Sequence, residues 1–350
     1  MAPVTNGREL FNEIVPAGEL PTPGKTTVYD TSETIDFDTV PLNGGFLVKT
    51  LALSMDPLLL PSMRAPQKGQ PMPPFPIGKP IMGVGIGVVL RSEHEGVEVG
   101  SHAYGALSHQ EYSIVPTLKN PMQPVEIIKK NPKLSWTAQL GPTGLAGETA
   151  FCGWKEHSKA KKGETVFVSS GAGGVGSIVV QLAKKDGLKV IASAGTDAKV
   201  KFLKEIGADV AFNYKTTDTR EVLAKEGPLD IYWDNVGGET FNAAIEATKM
   251  NARLIVSAAK SQANFNGTNQ PIKVAGLFNA RSLTMVGFNM FFLRYKHMAA
   301  FRGEYVPQVA NGEFKYAEDI RHGLANAGEA LLHALSGENV GKVSVIVAEE

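Results

Sequence analysis

The chain is short of several things at once. It has a single cysteine, Cys152, in 350 residues, which excludes an intrachain disulfide and a multi-cysteine zinc site. It has no net charge. Lys plus Arg number 35 and Asp plus Glu number 35, so no global field draws nucleic acid or an anionic membrane. It has no run of about 18 apolar residues, so no membrane-spanning helix is expected. His94, His102, His109 and His157 are scattered without metal-ligand spacing, so no metal is expected. Residues 1–20 are mixed and polar and lack the charged-then-apolar pattern of a secretory leader, and the expectation is a cytoplasmic protein. Cys152 itself sits among small and apolar neighbours (Thr-Ala-Phe-Cys-Gly-Trp), which favours a buried, inert thiol over a nucleophile.

What is present is a core-forming composition, 43% hydrophobic and 20% charged, in a length that suits two domains. The sharpest signal is Val166-Phe167-Val168-Ser169-Ser170 running into Gly171-Ala172-Gly173-Gly174-Val175-Gly176. An apolar strand enters a turn with G-x-G-x-x-G spacing, and a helical pattern follows through Ile178, Val179, Leu182 and Ala183. Such glycines allow a tight turn, a close approach to a pyrophosphate and close packing of helix on strand. The helix N-terminus then presents free N–H groups to the phosphates. The next strand, 189–194, ends in Ala194 and Gly195 rather than in the Asp or Glu that would accept from the ribose hydroxyls of NAD. Lys199 just beyond it suits a 2′-phosphate, and the cofactor expected is NADPH. Lys199 could also be a solvated helix residue, and Asp197 could cap the helix that follows.

Strands and helices alternate from residue 135: strands at 165–169, 189–194, 210–213, 229–234 and 252–257, helices at 176–185, 199–206 and 239–249. This predicts a doubly wound parallel sheet with right-handed crossovers. Residues 1–131 read differently. They are rich in Pro and Gly, with strands at 45–53, 83–90 and 111–115, the pattern of a partly open β-barrel. Residues 66–80 carry six prolines (Pro66, Pro71, Pro73, Pro74, Pro76 and Pro80) and read as a long ordered loop. A helix at 320–335 and a strand at 342–347 are expected to rejoin the barrel. The fold class expected is therefore α/β, a Rossmann sheet (131–304) inserted in a discontinuous, mostly β domain (1–130 with 305–350), with the active site in the cleft between them.

These residues together resemble the zinc-independent medium-chain dehydrogenase/reductases, and within them the prostaglandin reductase and alkenal double-bond reductase branch. The resemblance runs from about residue 6 to 347. Its most specific blocks are the glycine turn, Gly-Thr-Asp-Ala-Lys at 195–199, Phe-Asn-Tyr-Lys at 212–215, Asp-Asn-Val-Gly-Gly at 234–238 and Glu-Asn-Val-Gly-Lys at 338–342. It implies a GroES-like β domain. It also implies that Gly173, Gly174, Val175 and Gly176 hold the pyrophosphate and that Lys199 and Tyr214 meet the 2′-phosphate. Asn235 and Ser261 would lie beside the cofactor. Phe288, Asn289 and Met290 would run along the nicotinamide, and Asn339 would reach back to the cofactor. From the residues alone, Tyr214 could simply end a strand and Asn235 could simply fill a turn before two glycines.

The chain also departs from the family. The usual D-P-Y is Asp56-Pro57-Leu58, and the usual W-Q-E-Y is His109-Gln110-Glu111-Tyr112. By spacing, Ala280 stands where many members place a tyrosine near the substrate carbonyl, and Ala263 replaces another common tyrosine. The cofactor ribose hydroxyl or a bound water could donate to the substrate carbonyl oxygen, and Tyr112 is the candidate among the side chains. The activity implied is NADPH-dependent reduction of the double bond of an enone or enal. A quinone reductase or a non-catalytic NADPH-binding protein are the alternatives. A homodimer is expected, with the Phe291-Phe292-Leu293 run either at its contact or in the core.

Overall fold

The computed structural model of the protein describes residues 2–66, 72–119, 124–258 and 272–350. It divides into two compact units, Met1–Gly141 with Glu318–Glu350, and Pro142–Ala317. Both divisions fall later in the chain than the 130/131 and 304/305 boundaries expected. The helix Trp136–Leu140 packs on the strands Phe46–Ser54 and Lys342–Ile346, so it belongs with the first unit. The helical turns Phe301–Tyr305 pack on the helix Ala146–His157 of the second.

The second unit is built on six strands, all parallel. In chain order they are Thr165–Val168, Lys189–Ala194, Val210–Asn213, Leu229–Asp234, Thr248–Val256 and Thr284–Gly287, and across the sheet they lie 3-2-1-4-5-6. This is the doubly wound order. Helices cover the sheet, so central strands are apolar on both sides, and every residue of Thr165–Val168 is buried. Phe167 stacks on Tyr232 of the neighbouring strand, with ring centroids 5.2 Å apart and planes 12° from parallel.

Two element boundaries move from the expected places. The second crossover helix is Asp197–Glu205, capped by Thr196, whose hydroxyl accepts from the Lys199 amide; Asp197 is the first helical residue and not the cap. The helix expected at 239–249 is Gly238–Glu246, and the fifth strand begins at Thr248 rather than at 252, because Leu229 and Thr248 pair at the sheet's amino edge.

The main sheet of the first unit is mixed and mostly antiparallel. Its order is Glu126–Ile128, His102–Ser108, Met82–Ser92, Phe46–Ser54, Lys342–Ile346, Glu318–His322. One edge of Phe46–Ser54 pairs first with Tyr112–Val115 and then with Lys342–Ile346, so the chain's last strand completes this sheet as expected. The helix expected over 320–335 is corrected. Residues Glu318–His322 form a strand parallel to Lys342–Ile346, Gly323 turns the chain at φ 82°, and the helix is Ala327–Ser336. Strand hydrogen bonds from a distant partner override the local helical pattern. A smaller sheet joins Thr27–Asp30, Arg8–Phe11 and Lys79–Pro80. Of the proline-rich loop, residues 67–71 lie outside the described residues.

In Arg8–Phe11 the inward positions are Glu9 and Phe11, each with no more than 2% of its surface exposed. Burial pushes the Glu9 carboxyl up from 4.5 to about 7, with the Thr27 hydroxyl opposing part of the shift. The folded state therefore holds a proton that the unfolded chain has released. Stability drawn from this group is present below about pH 4.5 and is lost as pH rises through about 7. Replacing Glu9→Gln should leave urea stability near pH 5 almost unchanged. At pH 8 it should raise stability relative to the parent by up to about 3 kcal/mol. Equal effects at both pH values would show that the Glu9 carboxyl does not titrate this way.

Candidate functional site

The carboxyl ends of the parallel strands gather the residues that the sequence singled out. After the first strand, Ser170 turns the chain with a left-handed φ of 49°. The Gly171 amide donates to Ser193 O of the second strand at 2.9 Å. A Cβ on Gly176 would lie 2.4 Å from Ser170 O and 2.8 Å from Gly171 Cα, so only glycine lets the helix Gly176–Lys185 start this close to the strand. Gly173 is different. A Cβ there would come no closer than 3.4 Å to any protein atom, so nothing in the fold itself requires glycine. Its bare backbone, with Gly174 and Val175 half-buried beside it, leaves room at a helix N-terminus.

The ends of the second and third strands lie side by side. The Tyr214 amide donates to Ala194 O at 3.1 Å, and its half-exposed ring lies over Gly195, where a Cβ would be 3.2 Å from the ring. Lys199 is 7% exposed in the first turn of its helix. Asp197, the nearby acid, accepts from Asn213 Nδ2 at 3.0 Å.

At the reversal of strand order, between the first and fourth strands, lies a polar network of which the sequence reading had given a role to Asn235 alone. Asp234 Oδ1 accepts from the Tyr232 hydroxyl at 2.6 Å and from the amides of Val236 and Gly237 at 2.9 and 2.8 Å. Ser169 Oγ accepts from the Asn235 amide at 3.0 Å. Asn235 donates from Nδ2 to Ser169 O at 2.7 Å, and its Oδ1 accepts from Trp233 Nε1 at 3.1 Å. Burial raises the Asp234 carboxyl, and its hydrogen-bond donors pull the other way. Burial first, then Asp234, drives the Tyr232 phenol well above its ordinary value. The signal in the sequence was an acid closing an apolar strand just before two glycines. Gly237 and Gly238, at φ 78° and 61°, make the left-handed turn that brings amides back to that acid.

Phe288, Asn289 and Met290 follow the sixth strand. The Phe288 ring fills the space left by Gly153 and meets Trp233 and His157, with centroids at 5.7 and 5.5 Å. Asn289 caps the helix Met290–Ala300 by accepting from the Phe291 amide at 3.0 Å, and Met290 is buried. Ser261 and Ala263 lie outside the described residues. Ala280 is at the other end of the sheet. Its neighbour Arg281 donates to the carbonyls of Glu246 and Thr248, at the amino end of the fifth strand. The spacing that set Ala280 beside a substrate carbonyl is therefore corrected, because a residue count alone does not fix which end of the sheet a position reaches.

In the first unit, Asn339 Nδ2 donates to Gly341 O at 2.7 Å, tightening the turn before the last strand. The next residue inward, Lys342, is buried. Its ammonium donates to Met55 O and Val343 O at 2.8 and 2.7 Å and lies 3.3 Å from Asp56, which accepts from Ser54 Oγ at 2.5 Å. Burial lowers the Lys342 pKa, and Asp56 opposes this. His109 is buried too, and that burial pushes its imidazole down to about 4, so it is neutral at pH 7. Tyr112 is half-buried, its ring 4.6 Å from Phe37 in an apolar cluster with Ile35, Leu42 and Leu47. Burial, then Glu111, raises its phenol. Among the described residues, no group of three or more His, Cys, Asp and Glu could hold a metal ion.

Comparison with known proteins agrees with this geometry. Residues 174–302 match a family model described as zinc-binding dehydrogenase, and residues 31–123 match one described as the N-terminal domain of oxidoreductase. The chain belongs to the medium-chain dehydrogenase/reductases. It is 37% identical to the NADP(+)-dependent 2-alkenal reductase of Nicotiana tabacum over 310 residues, 87% of this chain and 88% of that protein. It is 33% identical to prostaglandin reductase 1 of Rattus norvegicus over 309 residues, 87% of this chain and 90% of that one. Among solved structures it is similar to CurA from Vibrio vulnificus in complex with NADPH, with TM-score 0.86 and 26% identity over 98% of this chain and 100% of that one. Within the family, it falls in the zinc-independent alkenal and prostaglandin reductase branch.

The two glycines separate structure from ligand. In urea melts without cofactor, Gly176→Ala should lose about 1–3 kcal/mol or more. Gly173→Ala should stay within about 0.5 kcal/mol of the parent. Similar losses in both would mean that the turn is packed alike at both positions.

Proposed function

We propose that this protein reduces the carbon–carbon double bond of α,β-unsaturated ketones or aldehydes with NADPH. The observation that carries the reading is the 37% identity, over 87% of the chain, with an NADP(+)-dependent 2-alkenal reductase. NADPH supplies a hydride, and the electrophilic β-carbon of the conjugated substrate receives it. The protein's tasks are to bind, to orient and to stabilise the charge that collects on the carbonyl oxygen as an enolate. A metal is not needed, because conjugation already polarises the substrate.

The residues take the following parts. The turn 173–176 receives the pyrophosphate, with backbone amides and a helix N-terminus as its donors. Lys199 and Tyr214 receive the 2′-phosphate, in keeping with the neutral end of the second strand. Asn235, Phe288, Asn289 and Met290 shape the floor of the cofactor crevice. Their own hydrogen bonds and packing fix them, which makes them a rigid support. The family resemblance also assigns Asn339, on the turn before the last strand, to the cofactor. The donor at the enolate oxygen is the cofactor ribose hydroxyl or a bound water in this reading. The packing of Tyr112 against Phe37 supports leaving that residue as a secondary candidate.

A homodimer and a cytoplasmic setting complete the proposal. Among the described residues, no helix is long and apolar enough to cross a membrane, and the single thiol is buried. Among the described residues, the outermost parallel strand, Thr284–Gly287, pairs on one edge only. Met285 is 47% exposed on it, and the helix that follows exposes Phe292 at 75% and Tyr295 at 90%. A bare apolar sheet edge of this kind suits pairing with the same edge of a second copy. Met285→Lys with Tyr295→Glu should shift sedimentation from dimer to monomer, and a parent that sediments as a monomer would rule the dimer out.

Two measurements test the chemistry. With deuterium-labelled NADPH and an enone, label should appear on the β-carbon and the carbonyl should remain. An allylic alcohol labelled at the former carbonyl carbon would overturn the reaction class. With a quinone, turnover should be far slower than with an enone. For the cofactor, Lys199→Ala should weaken NADPH binding by about 1–3 kcal/mol and leave NADH almost unchanged. Equal losses for the two would remove Lys199 from the 2′-phosphate.

A further inference from the structure

The turn after the third parallel strand carries a cation that the fold leaves free. Lys215 lies two residues beyond the end of Val210–Asn213 and is exposed. Among the described residues, its ammonium has no hydrogen-bond or ion-pair partner. Its stem nevertheless folds back toward the end of the second strand. A Cβ on Gly195 would lie 3.4 Å from Lys215 Cε, and 3.2 Å from both the ring and the hydroxyl of Tyr214. Two adjacent side chains of one turn thus close over a single glycine of the next strand's end. Any side chain at 195 would compete with them for that space.

The backbone that presents Lys215 is fixed. Asn213 Oδ1 accepts from the Lys215 amide at 3.1 Å, an asparagine turn closed by the side chain two residues back. The amides of Thr216 and Thr217 donate to Asn213 O at 3.1 and 2.9 Å. Tyr214 ties the same turn to the second strand through Ala194 O. The acids close to the turn are occupied elsewhere. Asp197 accepts from Asn213 Nδ2 at 3.0 Å. Asp218 caps the helix Thr219–Glu226, accepting from the amides of Arg220 and Glu221 at 2.7 and 3.1 Å. Neutral donors hold both carboxylates, and neither one pairs with the Lys215 ammonium. Lys199, by contrast, is 7% exposed. One lysine is enclosed and the other is open.

We propose that Lys215 is a specificity-determining residue for NADPH, its ammonium pairing with the 2′-phosphate from the open side. The proposal rests on the reading that puts the 2′-phosphate at the ends of the second and third strands. A phosphate monoester carries about −1.5 to −2 charges at neutral pH, more than one lysine neutralises. The free ammonium supplies a second positive charge and a charge-assisted hydrogen bond. Its flexible stem lets the ammonium follow the phosphate, while the fixed turn keeps the stem near Gly195. NADH has a hydroxyl in place of that phosphate and draws little from an exposed ammonium. Lys215 therefore acts on the choice between the two cofactors rather than on dinucleotide binding in general.

The test is a fluorescence titration of the full chain with NADPH and with NADH, in the absence of substrate. Lys215→Ala should weaken NADPH binding by about tenfold and change NADH binding by no more than about twofold, so that NADH also reports on folding. Lys215→Arg, which keeps the charge, should retain most of the NADPH affinity. Added potassium chloride should weaken NADPH binding to the parent more steeply than to Lys215→Ala, because an exposed ion pair is screened. NADPH affinity unchanged in Lys215→Ala, equal losses for the two cofactors, or Lys215→Arg as weak as the alanine variant would each overturn the proposal while leaving the 2′-phosphate reading in place. A parent that binds NADPH no more tightly than NADH would overturn that reading, and this proposal with it.

Discussion

The Asp234 carboxylate holds the cofactor side of the second unit together. Parallel strands end with backbone groups that no neighbour satisfies, and the problem is sharpest where the strand order reverses and the crossovers leave in opposite directions. Here one oxygen accepts from the phenol of Tyr232 and from two amides of the turn that follows. The same turn presents Asn235 to the carbonyl of Ser169, one residue before the chain enters its left-handed bend. The first and fourth strands are thus joined at their tips by side chains as well as by the sheet ladder. The glycine turn grows out of a fixed base, and a rigid base suits a site that must hold a hydride donor and an acceptor in register.

The second unit was largely legible in the sequence because its signals are local. Strand and helix alternate at short spacing, the glycines sit in one turn, and the helices Asp197–Glu205 and Met290–Ala300 carry their own caps. Where the reading failed, the deciding partner was distant. Residues 318–322 look helical until the strand Lys342–Ile346 supplies their hydrogen bonds. The Lys342 ammonium is tied to Met55 across most of the chain's length, and nothing near either residue announces it. Ala280 shows the reverse hazard: position counted along a chain carried it to the wrong end of a sheet.

Several residues marked for the cofactor turn out to have internal duties. Asn235 uses both ends of its carboxamide within the protein, Asn289 caps a helix, and Phe288 packs into a notch above Gly153. Residue type and position were informative, but they could not separate a side chain that touches a ligand from one that holds the backbone beside it. Gly173 is the contrasting case. Its lack of a side chain has no explanation within the fold, and that makes it the plainest mark of a ligand in the turn.

Cys152 has a consequence for an enzyme that handles conjugated carbonyls. Such compounds alkylate thiolates readily. Burial, with Glu148 adding to it, pushes this thiol up to about 12. At neutral pH the thiol form therefore prevails over the reactive thiolate. The chain's one thiol is therefore withheld from the class of electrophile that the protein consumes.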